Sequence, residues 1–393
     1  MTAGDARRPV KIAPGSGDEA DDHNARLIAH LYDLIDEAGG ALDFSEFMQC
    51  ALYEPGLGYY AAGQRKFGPG GDFVTAPHMG TLFGECLARQ CSEVLAGLDG
   101  GDVLEFGAGD GSLAVQILES LRSDGRLPAQ YAILELSAEL RERQQRTIAA
   151  QCPDLLPRCR WLDRLPDAFE GVVIANEVLD AMPVERFRVS EDGLRIIQVA
   201  WTGDSFGETT RPAEAGELRD IAGLDLPAGY ESEAGVLAQQ WVEGIADWLR
   251  RGVVLIIDYG FPAHEFYHPE RSRGTLMCHH RHRAHTDPYR HVGMQDITAH
   301  LDFSALARHA HDAGLEVMGF THQAAFLLSL GLLDLVQSRM DAANDEDRWR
   351  LSQEVQQLTQ TYEMGELFKV LALGRGCPGE LTGFTYIDHT ARL

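Results

Sequence analysis

Apolar and polar positions along the chain change their period as the sequence is followed. Between Ala25 and Ala38, Leu27, Ile28, Leu31, Leu34 and Ile35 recur at helical spacing, and Gly39-Gly40 ends the run. Residues 44–53 read as a second helix, followed by the turn-rich Glu54-Pro55-Gly56-Leu57-Gly58-Tyr59-Tyr60. From Gly100 the pattern becomes short apolar runs separated by amphipathic stretches. Strands are predicted over 102–106, 131–136, 159–162, 171–175 and 253–258, with helices in the first two gaps. Such alternation implies an α/β fold, a mostly parallel sheet with helices on both faces and ligands at the carboxyl ends of the strands. The gap 183–250 is too long for a simple crossover. It holds strand-like 185–189 and 194–201 and a helix around 235–248, and reads as an inserted lobe. Residues 315–320 and 368–373 predict a closing strand pair around a helical segment, 324–364. The expected division is a disordered tail over 1–24, an N-terminal helical or lid region over 25–99, a sheet domain over 100–183 and 251–375, the lobe over 184–250, and a tail over 376–393.

The most informative stretch joins the first strand to its helix: Val103-Leu104-Glu105-Phe106-Gly107-Ala108-Gly109-Asp110-Gly111-Ser112. Glycines allow a left-handed backbone and let a ligand touch the main chain. A dinucleotide loop, G-x-G-x-x-G, would need glycine at position 112, where Ser112 stands. Glu105 and Asp110 would also repel a pyrophosphate, whereas the sulfonium and ammonium of S-adenosylmethionine suit them. Glu135, 24 residues beyond Gly111, ends the next strand, where nucleotide cofactors are held by their ribose hydroxyls.

Charge and cysteine content narrow the class. With 34 Lys and Arg against 60 Asp and Glu, the net charge is −26, which disfavours a nucleic acid partner and suits a cationic substrate. No apolar run approaches the ~20 residues that span a bilayer, and the acidic start resembles neither a secretory nor a transit signal, so a cytoplasmic protein without membrane insertion is expected. The 7 cysteines form no C-x-x-C pair, and reduced thiols are expected.

Several blocks match a known family. Glu54 to Tyr60, Gly71-Asp72-Phe73-Val74-Thr75-Ala76-Pro77, the glycine loop, Asn176-Glu177-Val178-Leu179-Asp180-Ala181-Met182-Pro183, Asp258-Tyr259-Gly260 and the run from Gly293 to Phe303 together resemble the MidA-like S-adenosylmethionine-dependent methyltransferases. The likeness runs from about Ile28 to Arg375. It implies a class I methyltransferase (Rossmann-like) sheet of seven strands, the last antiparallel, with an extra substrate lobe. Mitochondrial members of that family are arginine methyltransferases in respiratory complex I assembly, so the resemblance implies symmetric dimethylation of an arginine in a complex I subunit. It also implies cofactor contacts from Asp72, Thr75 and Asn176, beside Glu105, Gly107, Gly109, Asp110, Gly111 and Glu135. One departure is His78, where the family pattern expects an acid.

The turn after the fourth strand bears on the acceptor. Nucleobase amino-methyltransferases carry an Asn/Asp-Pro-Pro-aromatic turn there, and Asn176-Glu177-Val178-Leu179-Asp180 is different. Glu177 and Asp180, spaced i, i+3, share a helical face and could grip a guanidinium, with Asp258 taking its proton. The same spacing suits helix capping, so spacing alone leaves both readings open. A small-molecule hydroxyl or carboxyl acceptor, and a non-catalytic assembly factor that keeps cofactor binding, are the alternative functions. The run His279, His280, His282, His285, His291 lacks zinc-type spacing and is interleaved with Arg281, Arg283 and Arg290. No metal is expected, and the run reads as a solvated loop at the substrate cleft. Tyr59, Tyr60, Phe67 and Phe73, with Gly and Pro at 68–71, suggest a lid.

Overall fold

The structure is a computed structural model describing residues 19–61, 76–377 and 379–393. Asp72, Thr75, Phe67, Phe73 and the hinge at 68–71 lie outside the described residues, as do residues 1–18 of the expected tail. The first helix, Glu19–Glu37, begins within that tail and takes in residues 19–24.

The large sheet contains β1 (Asp102–Phe106), β2 (Tyr131–Leu134), β3 (Cys159–Leu162), β4 (Phe169–Asn176), β5 (Leu249–Phe261), β6 (Glu316–His322) and β7 (Phe368–Arg375), in the spatial order β6-β7-β5-β4-β1-β2-β3. An eighth, two-residue strand, Leu301–Asp302, lies parallel to the end of β5. β7 runs antiparallel to both β5 and β6, and the pairings from β5 across to β3 are parallel. β2 stops at Leu134, so Glu135 stands just past the strand end. The expected helical segment 324–364 is broken into Gln323–Ser329, Leu332–Ala342 and Asp345–Thr359.

Strand periodicity builds the two cores. Val172 and Ile174 of β4 face one side with Val253, Leu255 and Ile257 of β5, against helices Leu82–Gly97 and Ser112–Ser123. Val173 and Ala175 face the other with Val254 and Ile256, against Val236–Trp248 and Phe303–Asp312. All nine of these strand residues are fully buried, and each large one stabilises the fold by roughly 1.5–3 kcal/mol. Helix Val236–Trp248 is thus a crossover helix of the large sheet, although its sequence position falls within the 184–250 lobe.

The lobe is assembled from three stretches of chain. A five-stranded sheet joins Ala41–Asp43 to Glu185–Ser190, Gly193–Thr202, Ser205–Pro212 and Glu231–Ala234. A three-stranded sheet joins Met277–His280, Arg283–His285 and Asp296–Thr298. One core of Leu27, Leu31, Phe44, Phe47, Val184, Val199, Cys278 and Ile297 welds them together, so the N-terminal helices and the insertion form a single body above the strand ends.

Candidate active site

Strand order reverses between β1 and β4, and a cleft of about 1250 Å³ opens outside their carboxyl ends, roofed by the lobe. Glu105, Gly107, Gly109, Asp110, Glu135, Asn176, Glu177 and Asp180 all line it.

The floor is the glycine turn. Gly107, Gly109 and Gly111 are left-handed, with φ of 59°, 53° and 89°. A Cβ on Gly111 would stand 3.1 Å from the Gln144 Cα, whereas one on Gly109 would meet nothing within 4 Å. Gly111 therefore serves packing, and Gly109 keeps the turn open on its free side. Asp110 Oδ1 accepts from the Ser112 amide at 3.0 Å and Oδ2 lies 3.0 Å from His78 Nε2. Burial pushes its carboxyl up, but those two partners outweigh it and hold the group at about 2. His78, the departure from the family pattern, thus reaches the loop. Glu105 is buried beneath, accepting from the Tyr131 hydroxyl at 2.7 Å, and burial pushes its carboxyl up to about 7.

Glu135 belongs to a network that the sequence did not disclose. Its Oε1 accepts from the Ser137 amide at 2.9 Å and its Oε2 from Gln144 Nε2 at 3.0 Å. The same Nε2 donates to the Gly109 carbonyl at 3.0 Å, while Gln144 Oε1 accepts from Trp161 Nε1 at 2.9 Å. Indole is a donor only, so Trp161 fixes which end of the buried amide faces the loop. Gln144 ties the carboxylate after β2 to the turn after β1, and burial still leaves the Glu135 carboxyl raised. Trp161→Phe removes that fixed donor and is expected to weaken S-adenosylhomocysteine binding about five- to tenfold, with the melting temperature little changed. Calorimetric titration checks this, and an unchanged Kd would mean that the amide needs no such anchor.

Past β4 the chain turns sharply. Glu177 takes φ 54°, a left-handed backbone that a non-glycine residue adopts at a cost, and its amide donates to the Ile257 carbonyl at 2.9 Å. Asn176 Nδ2 donates to Glu177 Oε1 at 3.3 Å. Asp258 departs from expectation. It is fully buried and does not line the cleft. Its Oδ2 accepts from the amides of Val178, Leu179 and Asp180 at 3.3, 3.0 and 3.2 Å, and its Oδ1 from Tyr259 at 2.9 Å. With both oxygens committed to amides, Asp258 holds the turn and is not placed to take a substrate proton.

A further acid completes the cluster. Asp296, from the strand Asp296–Thr298, lines the cleft and accepts from the Tyr60 hydroxyl at 3.0 Å. Tyr53 stacks on Tyr60 at 5.4 Å and donates to the Ala181 carbonyl at 2.9 Å. Tyr60 is therefore part of the cleft wall, while Tyr59 is core. Burial first, then Asp258, pushes the Glu177 carboxyl up to about 8. Burial, with Asp258, Asp296 and Glu177 as like-charged neighbours, pushes Asp180 well above the carboxylate range. A cation placed among these acids would relieve the repulsion by which each raises the others.

The histidine run forms a hairpin with Met277 and His279 on the cleft wall. Among the described residues, the trio that brings metal-type donors together is His30, Cys50 and Glu54, which lies outside both the run and the cleft. All seven cysteines are free.

A mostly parallel sheet with a glycine turn after its first strand, a carboxylate after its second and an acid cluster after its fourth is the arrangement expected of an S-adenosylmethionine-dependent methyltransferase. Comparisons agree. The profile of a family described as putative S-adenosyl-L-methionine-dependent methyltransferase matches residues 86–321, and the chain belongs to that family. A likely methyl transferase from Burkholderia thailandensis, solved bound to S-adenosyl-homocysteine, is 44% identical with a TM-score of 0.92, over 97% of this chain and 100% of that one. The mitochondrial protein arginine methyltransferase NDUFAF7 of Danio rerio is 27% identical over 89% of this chain and 87% of its own length. Its Homo sapiens counterpart is 28% identical over 91% and 86%. The cofactor is S-adenosylmethionine.

Proposed function

We propose that the chain methylates an arginine guanidinium of a protein substrate. The observation that carries this reading is the meeting of Glu177, Asp180 and Asp296 in the cleft that also holds the glycine turn. Relatives named as protein arginine methyltransferases support it. Its finer form, symmetric dimethylation of a respiratory complex I subunit, follows the family resemblance.

Glu135 would hold the cofactor ribose, and Gly107 to Asp110 would cradle the rest, with Gly111 packed behind them against Gln144. S-adenosylmethionine, when bound, supplies an electrophilic methyl group on its sulfonium. The protein's task is then to present a nucleophile in line. A guanidinium, with a pKa above ~12, is not deprotonated beforehand. Glu177 and Asp180 hold its planar fork by charge-assisted hydrogen bonds and draw the positive charge to the nitrogens they touch. The remaining nitrogen sheds a proton as its bond to the methyl carbon forms, and a cluster carboxylate accepts it. A base lifted toward neutrality suits that step.

The same shifts give a pH dependence. Acids with raised folded-state pKa values contribute most below their ordinary pKa and lose that contribution as pH rises through the folded value. For Glu177, at about 8, and Asp258, at about 7, that window runs from about pH 4 to pH 8, so the ligand-free protein is expected to lose stability across it. Binding an arginine peptide at pH 7 is expected to expel protons, as the cation ionises the cluster. Titration calorimetry in buffers of different ionisation enthalpy reads this directly, and a neutral acceptor would release none. Mass spectrometry of cell proteins with and without this chain tests the acceptor: arginines should lack one or two methyl groups in its absence, and a deficit confined to small molecules would overturn the reading.

A further inference from the structure

Helices Glu19–Glu37 and Phe44–Tyr53 share one core, to which Leu27, Leu31, Phe47 and Ala51 belong. Beside it three side chains converge: His30 from the first helix, Cys50 from the last turn of the second, and Glu54, the residue that caps that turn. Cys50 and Glu54, spaced i, i+4, stand one above the other on the helix surface. One ligand-type atom from each residue, an imidazole nitrogen, the Sγ and a carboxylate oxygen, lies within 4.8 Å of the other two. Among the described residues, none of the three side chains has a hydrogen-bond partner.

The spacing is that of ligands. His30 Nε2 stands 3.6 Å from Glu54 Oε1, too far for a hydrogen bond. It is near the ~3.3 Å that separates two ligand atoms of a tetrahedral zinc ion, each ~2.0 Å from the metal. An ion pair accounts for the histidine and the glutamate, but not for a sulfur within 4.8 Å of both. The donor set then selects the ion. Calcium and magnesium take oxygen ligands, whereas sulfur, imidazole nitrogen and a single carboxylate suit zinc. A reactive thiol is the competing use of a cysteine beside a histidine, and it needs a lowered pKa. Cys50 shows the opposite: it is buried, and burial first, then Glu54, pushes its thiol up to about 12. Such a thiol keeps its proton until a metal takes the proton's place. His30 and Glu54, 37% and 33% exposed, open the site to solvent, and the net charge of −26 favours the arrival of a cation.

We propose that His30, Cys50 and Glu54 hold one zinc(II) ion as three of its four ligands, with water as the fourth. On binding, the Cys50 S–H bond breaks, the proton leaves to solvent and the sulfur electron pair forms the bond to zinc. The trio lies outside the cleft, so the ion's work is structural: it fastens the first helix to the end of the second. That junction carries the cleft wall. The Glu54 carbonyl accepts from the amides of Leu57 and Gly58 at 3.0 and 2.7 Å, and Tyr53, Pro55, Gly56 and Tyr60 line the cleft. Positions 30, 50 and 54 match no zinc spacing in the sequence, so the fold alone discloses the site.

The test uses the full chain, treated with a chelator, dialysed and titrated with cobalt(II) as a spectroscopic stand-in for zinc. One equivalent is expected to give a thiolate-to-cobalt charge-transfer band together with the visible bands of a four-coordinate site, and one equivalent of zinc(II) should abolish both. Cys50→Ser should lose the charge-transfer band. His30→Gln and Glu54→Gln, at partly exposed positions, should each raise the cobalt Kd about tenfold or more, the loss that even the outer partners of a metal cause. Zinc at about a hundred times its Kd should raise the melting temperature of the parent by about 3 °C, and that of Cys50→Ser not at all. Three results each overturn the site: no charge-transfer band in the parent, a band that survives Cys50→Ser and so belongs to another of the seven free cysteines, or an unchanged Kd in both His30→Gln and Glu54→Gln.

Discussion

Glu177→Gln is expected to lower kcat about a thousandfold while S-adenosylhomocysteine affinity stays within a factor of about two, because a positioned acid or base contributes roughly 10²–10⁴. Glutamine keeps the shape of the side chain and the left-handed backbone at this position. It cannot accept a proton, and a neutral amide binds a guanidinium with about half the strength of a carboxylate. The floor of the cofactor site is a separate structure, carried by the turn after β1 and the Glu135–Gln144 network. Asp180→Asn should act in the same direction. Single-turnover rates with cofactor saturating would read the loss; a variant within tenfold of the parent would remove Glu177 from the chemistry.

The backbone at Glu177 allows a companion experiment that separates strain from chemistry. A φ of 54° suits glycine, so Glu177→Gly relieves a conformational cost of about 1 kcal/mol. This variant is expected to melt no lower than the parent and yet be inactive. A residue that is stabilising to replace and necessary to keep is the mark of strain held at a functional site.

These residues also show where sequence reading succeeds and where it stops. The glycine turn was legible because its requirement is local: left-handed backbone at 107, 109 and 111 needs glycine whatever surrounds it. The offset to Glu135 was legible because a βα unit has a narrow range of lengths. Gln144 was not. It sits on the polar helix Ala138–Gln151, whose pattern does not distinguish the one glutamine that is fully buried from its exposed neighbours. Asp296 lies within the recognisable run from Gly293 to Phe303, but its place in the cluster depends on the lobe folding it over Tyr60. The lobe itself depends on pairings such as Asp43 with Gln198, 155 residues apart, which no local period encodes. His78 had no role in the sequence, and its hydrogen bond to Asp110 came only with the fold. Asp258 was found by its place at a strand end, but only the fold shows that its carboxylate turns toward the backbone of 178–180 instead of the cleft.

That placement yields the other large effect. Asp258→Ala would strand four amide hydrogens in a fully buried site. Each unsatisfied donor costs roughly 1–3 kcal/mol, and partial relaxation of the turn brings the expected total to about 4 kcal/mol or more. Activity should fall with it, since Glu177 and Asp180 ride on the same turn. Asp258→Asn is the discriminating variant. Its carbonyl oxygen can still receive the amides of Val178, Leu179 and Asp180, but its NH2 group then meets the Tyr259 amide, donor against donor. A turn-holding residue therefore predicts a graded series in urea unfolding, with the parent most stable, asparagine intermediate and alanine lowest. A proton-accepting residue predicts something else: asparagine as inactive as alanine, with the stability of the parent. If the asparagine variant unfolds at the parent's urea midpoint and has no turnover, Asp258 belongs to the chemistry after all; if it unfolds earlier and keeps part of its turnover, the turn is what Asp258 is for.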